Sequence, residues 1–193
     1  MPDPTDPEET WDETDYTWDA TIAGNVPPHI KLLIAIENAL LTVDFAVQAG
    51  ISRPLTIRHS RSRAPVRAER PALSIIFVGD DPRPDEQDRN DWEQVRELTV
   101  DLQVDLDLET ENRFQDRTGL LYLSLVQAVA VKALKEPDMP VFLGGLCDWI
   151  SVGSIDPEER SQPDIGRMTR ALTVLYRVRS DDANVLLAAG ENG

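Results

Sequence analysis

From Pro27 to Gly50 (PPHIKLLIAIENALLTVDFAVQAG) apolar residues recur at helical spacing. Leu33, Ile36, Leu40, Val43 and Val47 lie three or four residues apart, with Ile30, Ile34, Leu41 and Phe45 beside them. Lys31, Glu37, Asn38, Asp44 and Gln48 take the other side. The pattern predicts one helix that starts at Pro27–Pro28 and ends at Gly50 in the left-handed conformation. A second helical pattern, GLLYLSLVQAVAVKALKEP, is capped by Thr118 and stops before Pro137. It is apolar over most of its circumference, with a narrow polar stripe through Ser124, Gln127 and Lys135 and Lys132 at its side. Such a helix needs cover on more than one face, from the first helix or from another subunit.

Between and after the helices the period changes to two. ELTVDLQVDLDLETE (97–111) places Leu98, Val100, Leu102, Val104, Leu106 and Leu108 at even positions and Asp101, Asp105, Asp107 and Glu109 at odd ones. This is the pattern of a long strand with one dry and one wet face. ALSIIFVG is a short β-branched apolar run and reads as a buried strand, followed by a loop in DDPRPDEQDRND. A strand at Leu55–His59 precedes an arginine-rich loop closed by Pro65 and Pro71. Two more strands fall around Trp149–Ser154 and Arg167–Arg179, separated by a Pro- and acid-rich loop. The order predicts an α+β single domain: a mostly antiparallel twisted sheet with two main helices packed on one face and a long protruding strand or hairpin. The α+β domain is expected over 27–187, with flexible ends at 1–26 and 188–193.

Composition narrows the class. At 193 residues and 41 % hydrophobic, the chain can fill one ordinary core. A formal net charge of -16 argues against binding nucleic acid by neutralising phosphates. The single cysteine, Cys147, excludes a disulfide-stapled scaffold, and no apolar run is long enough for a membrane span. The charge is segregated. Residues 1–20 hold eight acids and no base, whereas residues 51–70 hold six arginines against Glu69 alone. The first 26 residues read as an acidic arm too charged to bury itself, carrying Trp11, Tyr16 and Trp18 as anchors for a partner's groove.

The row of carboxylates has the geometry of a solvated strand face. Same-face neighbours stand about 7 Å apart, too far for adjacent members to close on one calcium ion. Cross-strand pairing with Arg177 and Arg179 is the expected fate of these charges, with its main effect on register and partner choice. No elbow, phosphate-binding loop or dinucleotide motif is present, and neither His29 nor His59 has zinc-ligand spacing around it. Neither a catalytic site, a metal nor a cofactor is expected. Cys147, after Gly144 and Gly145, reads as a buried small hydrophobe before an exposed nucleophile. RHSRSR lacks interleaved aromatics, so its expected role is docking to an acidic protein surface.

These elements together resemble the tail-terminator and tail-completion proteins of long-tailed bacteriophages and gene-transfer particles. The resemblance spans about residues 28–187. It rests on the opening helix, RPALSIIFVGDD, VRELTVDLQVDLDLETE, GLLYLSLVQAVAVKALKE and, above all, WISVGSIDPEERSQPDIGRMTRALTVLYRVRSDD. It implies a virion protein, made in the host cytoplasm, that forms a closed and usually hexameric ring. That ring caps the tail tube and joins it to the head-proximal connector, with tube protein and connector protein as partners. DNA passes through the opening without sequence-specific binding. On this reading Arg58, Arg61, Arg63, Arg67, Arg177 and Arg179 dock a neighbour or the tube, while Asp101, Asp105, Asp107 and Glu109 face an interface or the channel. The alternatives are a head-completion or connector protein and, in another class, a small acidic hydrolase using an unrecognised carboxylate pair.

Overall fold

The computed structural model describes residues 26–50, 54–59, 65–83, 93–107, 117–135, 142–157 and 165–187. The first helical pattern forms two helices, α1 (Pro28–Leu41) and α2 (Phe45–Ala49). The break has a local cause. Thr42 Oγ1 donates to Ala39 O at 2.7 Å, and Asp44 caps the new helix by accepting the Val47 N–H at 3.1 Å. Restarting at Asp44 turns Phe45 and Ala49 into the core and leaves Leu41 and Val47 exposed, where an unbroken helix keeps Val47 on the buried stripe. Gly50 ends α2 with φ +66°, as the pattern predicts. The face of α1 that is buried runs through Leu32, Ile36 and Leu40.

Six strands make one sheet: β1 (Thr56–His59), β2 (Ala72–Pro82), β3 (Glu93–Asp107), β4 (Trp149–Pro157), β5 (Ile165–Arg179) and β6 (Leu186–Leu187). Their order is β1-β2-β3-β5-β4, with β6 paired to the end of β5. All pairings are antiparallel except β1 with β2. β3 and β5 pair without interruption from Glu93↔Arg179 to Asp107↔Ile165, 15 residues each and about 50 Å at ~3.3 Å per residue. At one end Leu106–Asp107 and Ile165–Gly166 of this ladder reach past both β2 and β4, and at the other Glu93–Val95 and Arg177–Arg179 do the same, with β6 beside Arg177 and Val178.

The helices pack on one face of the sheet. Leu98, Val100, Leu102 and Val104 of β3 and Met168, Leu172, Val174, Tyr176 and Val178 of β5 are buried there against α1 and α3 (Arg117–Lys135). α3 is already helical at Arg117, so Thr118 lies inside the first turn instead of capping it. The polar stripe expected on α3 does not face water at its centre. Gln127 is completely buried, and its side-chain amide donates to Leu102 O at 3.1 Å and to Met168 O at 3.0 Å, tying the helix to two neighbouring strands. Leu121 and Leu125 are exposed in its place.

β2 is longer than its apolar run. It continues through Asp80 and Asp81 to Pro82, paired with Arg96–Leu98, after a bulge in which Val78 has no counterpart between Phe77↔Val100 and Gly79↔Thr99. A loop is the expectation for this acidic stretch. The strand persists because Asp80 finds partners on the core side, described below.

Candidate functional site

Directly opposed residues share a face, so the odd positions of β3 and β5 form the sheet face turned away from the helices. At one end of that face Asp105 stands opposite Arg167, with Arg167 Nε 2.6 Å from Asp105 Oδ1 and Gln103 donating to Oδ2 at 2.9 Å. The carboxylate has no exposure and the guanidinium 19 %. Beside it Arg58 of β1, opposite Ser74, is 3 % exposed and donates to Glu69 Oε2 at 3.0 Å. Glu69 belongs to a single turn of tight helix at Arg67–Glu69, and its carboxylate also accepts the Val66 N–H at 2.9 Å. Arg70, likewise buried, donates to Pro65 O at 3.0 Å.

This arrangement corrects two expectations. Asp105 and Arg58 are not docking residues at the protomer surface, because each is buried and held in an ion pair within the protomer. Nor do Arg177 and Arg179 pair with the carboxylate row. The register places Arg177 opposite Val95 and Arg179 opposite Glu93, some ten residues from Asp105 along the ladder, whose facing arginine is Arg167. Arg177 instead binds Asp148 through Nε at 3.0 Å and Nη2 at 2.9 Å, and Glu93 through Nη1 at 3.0 Å. The Asp148 hydrogen bonds, helped by Glu93 and opposed by burial, hold its guanidinium above the usual arginine range. Arg179 pairs with exposed Asp181.

Of the other residues singled out in the sequence, Asp101 is half-buried on this face between Ile76 and Ala171. Asp107 is the last residue of β3, and Arg67 opens the tight turn. Arg61, Arg63, Glu109, Trp11, Tyr16 and Trp18 lie outside the described residues. Between the charged ends the face carries small uncharged rows such as Gly79–Thr99–Thr173–Ser151. Trp149, half-exposed at the edge strand, meets Phe142 edge-on at 5.8 Å.

A second polar cluster lies on the helix side, where the sequence offers no sign of it beyond an acid following an apolar run. Tyr176 donates to Asp80 Oδ1 at 2.7 Å, and Arg96 reaches the same oxygen through Nε at 3.0 Å and the Asp80 carbonyl through Nη2 at 3.1 Å. His29 Nδ1, in the first turn of α1, is 3.5 Å from Asp80 Oδ2, and its ring lies 5.6 Å from Phe77. Burial, then the Asp80 hydrogen bond and charge, push the Tyr176 phenol well above its usual range against the opposing pull of Arg96. Burial works against the Arg96 charge, but the Asp80 hydrogen bond and charge outweigh it and raise its affinity for the proton. The cluster has an acid, a base and a phenol. Its hydrogen bonds nevertheless run inward, joining α1, β2, β3 and β5, and the described contacts place no nucleophile on the histidine.

Cys147 is 1 % exposed, and burial followed by the Asp148 charge pushes its thiol up to about 12, so it is an inert core residue. A groove of about 600 Å³ between α1, α2 and the end of α3 is lined by Ala35, Asn38, Val43, Gln48, Lys132 and Gly144. Among the described residues of this lining Lys132 is the one ionisable side chain. Among the described residues no three His, Cys, Asp or Glu side chains come together as a metal site. No helix among them is long and apolar enough to cross a membrane.

No protein-family model and no curated protein matches the chain. Among solved structures it is similar to a chain described as "Virion of native gene transfer agent (GTA) particle". The two are 16 % identical with a TM-score of 0.46, over 82 % of this chain and 97 % of that one.

Proposed function

We propose that the protein is a structural component of a phage-like virion, a tail terminator whose copies close into a ring at the head-proximal end of the tail tube. The observation that carries this reading is the one-sided build of the molecule. The helices pack on one face of a sheet whose central ladder is about 50 Å long, and among the described residues no α-helix covers the other face. The small residues at its centre, Thr99, Ser151, Ala171 and Thr173, let a flat neighbour approach the backbone closely. The architecture is also the α+β type that the sequence resemblance implies.

Charge supports assembly over turnover. Cyclic closure needs two different complementary surfaces on each copy, and an acidic chain with its arginines concentrated in one stretch suits head-to-tail contact. With Arg58, Asp105 and Arg177 held in sheltered ion pairs inside the protomer, the docking charges are assigned to Arg61, Arg63, Arg67 and the exposed Arg179 on one side and to Asp107 and Glu109 on the other. A net charge of -16 also lets a polyanion slide through an opening without adhering.

Sedimentation and negative-stain microscopy of the purified chain, alone and mixed with tube protein, test the reading. Rings, or caps on tube ends, are the expected result. A chain that stays monomeric in both conditions overturns it.

A further inference from the structure

α3 meets its own protomer along one line and turns another line outward. Leu123, Val126, Ala130 and Leu134 are buried, whereas Leu121, Leu125, Ala128, Lys132 and Lys135, spaced four, three, four and three residues apart, are exposed on the opposite side of the helix. The outward line is about 21 Å long. Its first half is apolar, with Leu121 57 % and Leu125 38 % exposed, and its second half is cationic. Such alternating spacing is the seam along which a helix seats on a neighbour.

Charge decides which surface of another copy it suits. α3 carries Arg117, Lys132 and Lys135 and no acid, in a chain whose formal net charge is -16. A two-fold contact of α3 with α3 sets cation against cation and is disfavoured. The sheet has the opposite sign, since β2, β3, β4 and β5 together hold eight acids against five arginines. Its shape fits as well. On the face that no described α-helix covers, Thr99, Thr173 and Ser151 form one row beside Ala171, each still partly exposed. These short side chains make a shallow floor for leucines arriving from a helix, and a sheet with helices on both faces is a stable layer arrangement.

We propose that the outward line of α3 in one copy docks across the helix-free face of the next copy's sheet, with Leu121 and Leu125 over the Thr99–Thr173–Ser151 row. The two faces lie on opposite sides of one protomer, so the contact is head-to-tail, the type that cyclic closure requires. This assignment rests on the ring reading and names the surfaces that build it.

Sedimentation velocity on the full chain tests it with two variants, Leu121→Asp combined with Leu125→Asp on the helix and Thr173→Arg on the sheet. Wild type should assemble, and each variant alone should stay monomeric with the wild-type urea midpoint. An equimolar mixture of the two should form a 1:1 dimer and nothing larger, because one sound helix line and one sound sheet face survive in it. Assembly that persists in either variant, or a mixture without the dimer, overturns the docking while the ring reading stands. A wild type that never assembles, alone or on tube protein, overturns both. Should a variant lose the native urea transition, Leu125→Cys copies mixed with Thr173→Cys copies under a short bismaleimide decide instead. A cross-linked dimer that neither copy gives alone upholds the contact, and its absence, or a dimer from one copy alone, overturns it.

Discussion

Asp105 and Arg167 face each other across the two central strands, one oxygen and one nitrogen 2.6 Å apart, with the carboxylate wholly out of water. A buried pair resists the loss of one partner far more than the loss of both, because the survivor keeps its charge in a place that cannot solvate it.

Arg167→Ala should therefore cost about 3 kcal/mol or more of unfolding free energy in urea titrations. Asp105→Leu combined with Arg167→Met should cost clearly less than the sum of its single changes, a coupling that a double-mutant cycle reads directly.

Tyr176 holds its proton more tightly folded than unfolded. A raised folded pKa contributes stability that is complete below the unfolded value, near pH ~10 for a phenol, and is lost as pH climbs beyond it. Tyr176→Phe should cost about 1.5–3 kcal/mol at pH 8, the range for a hydrogen bond to a charged group. The gap to wild type should shrink above pH ~10 in thermal melts run across the alkaline range.

Gln127→Glu would set a carboxylate against the carbonyls of Leu102 and Met168, where the native amide donates two hydrogen bonds. At pH 7 the loss should exceed about 3 kcal/mol, the cost of a buried group left facing like-signed partners. Since the charged form is the costly one, the deficit relative to wild type should be smallest below pH ~4.3, where the unfolded glutamate is also protonated. Chemical denaturation at pH 7 and pH 4 measures both.

Cys147 should label slowly with iodoacetamide at pH 8 in the native chain and at once in denaturant. Its thiol is buried, and its proton is retained up to about 12. A native labelling rate close to that of an unfolded peptide would contradict the interior placement.

The alternating rows of β3 and β5 are legible in the sequence because a sheet with one buried face imposes period two on every strand that shares it. Alternation assigns a face, however, and says nothing about what lies over that face. Asp105 reads as wet until Arg167 and Gln103 are placed on its two oxygens and its burial is seen. Asp44 sits on the polar side of a continuous helical wheel, and only its bond to the Val47 N–H marks it as the cap of a second helix. The extension of β2 through Asp80 depends on Tyr176, 96 residues away, and on Arg96, 16 residues away, and local composition cannot carry that information. Arg167 flanks the closing strand just as Arg177 and Arg179 do. Choosing it as the partner of the carboxylate row requires the register, which the apolar positions alone leave open.

That openness gives the ion pairs at the two ends of the ladder a role like the marks of a vernier. Leu98, Val100, Leu102 and Val104 against Leu172, Val174, Tyr176 and Val178 are nearly interchangeable, so sliding one strand by two residues still turns oil toward oil. Such a slip, in either direction, parts Asp105 from Arg167 and sets the fully buried carboxylate opposite Ile165 or Thr169, whereas Glu93 separates from Arg177 in one direction only. The hydrophobic face selects the side, and the paired charges select the one alignment out of several that the side alone would accept.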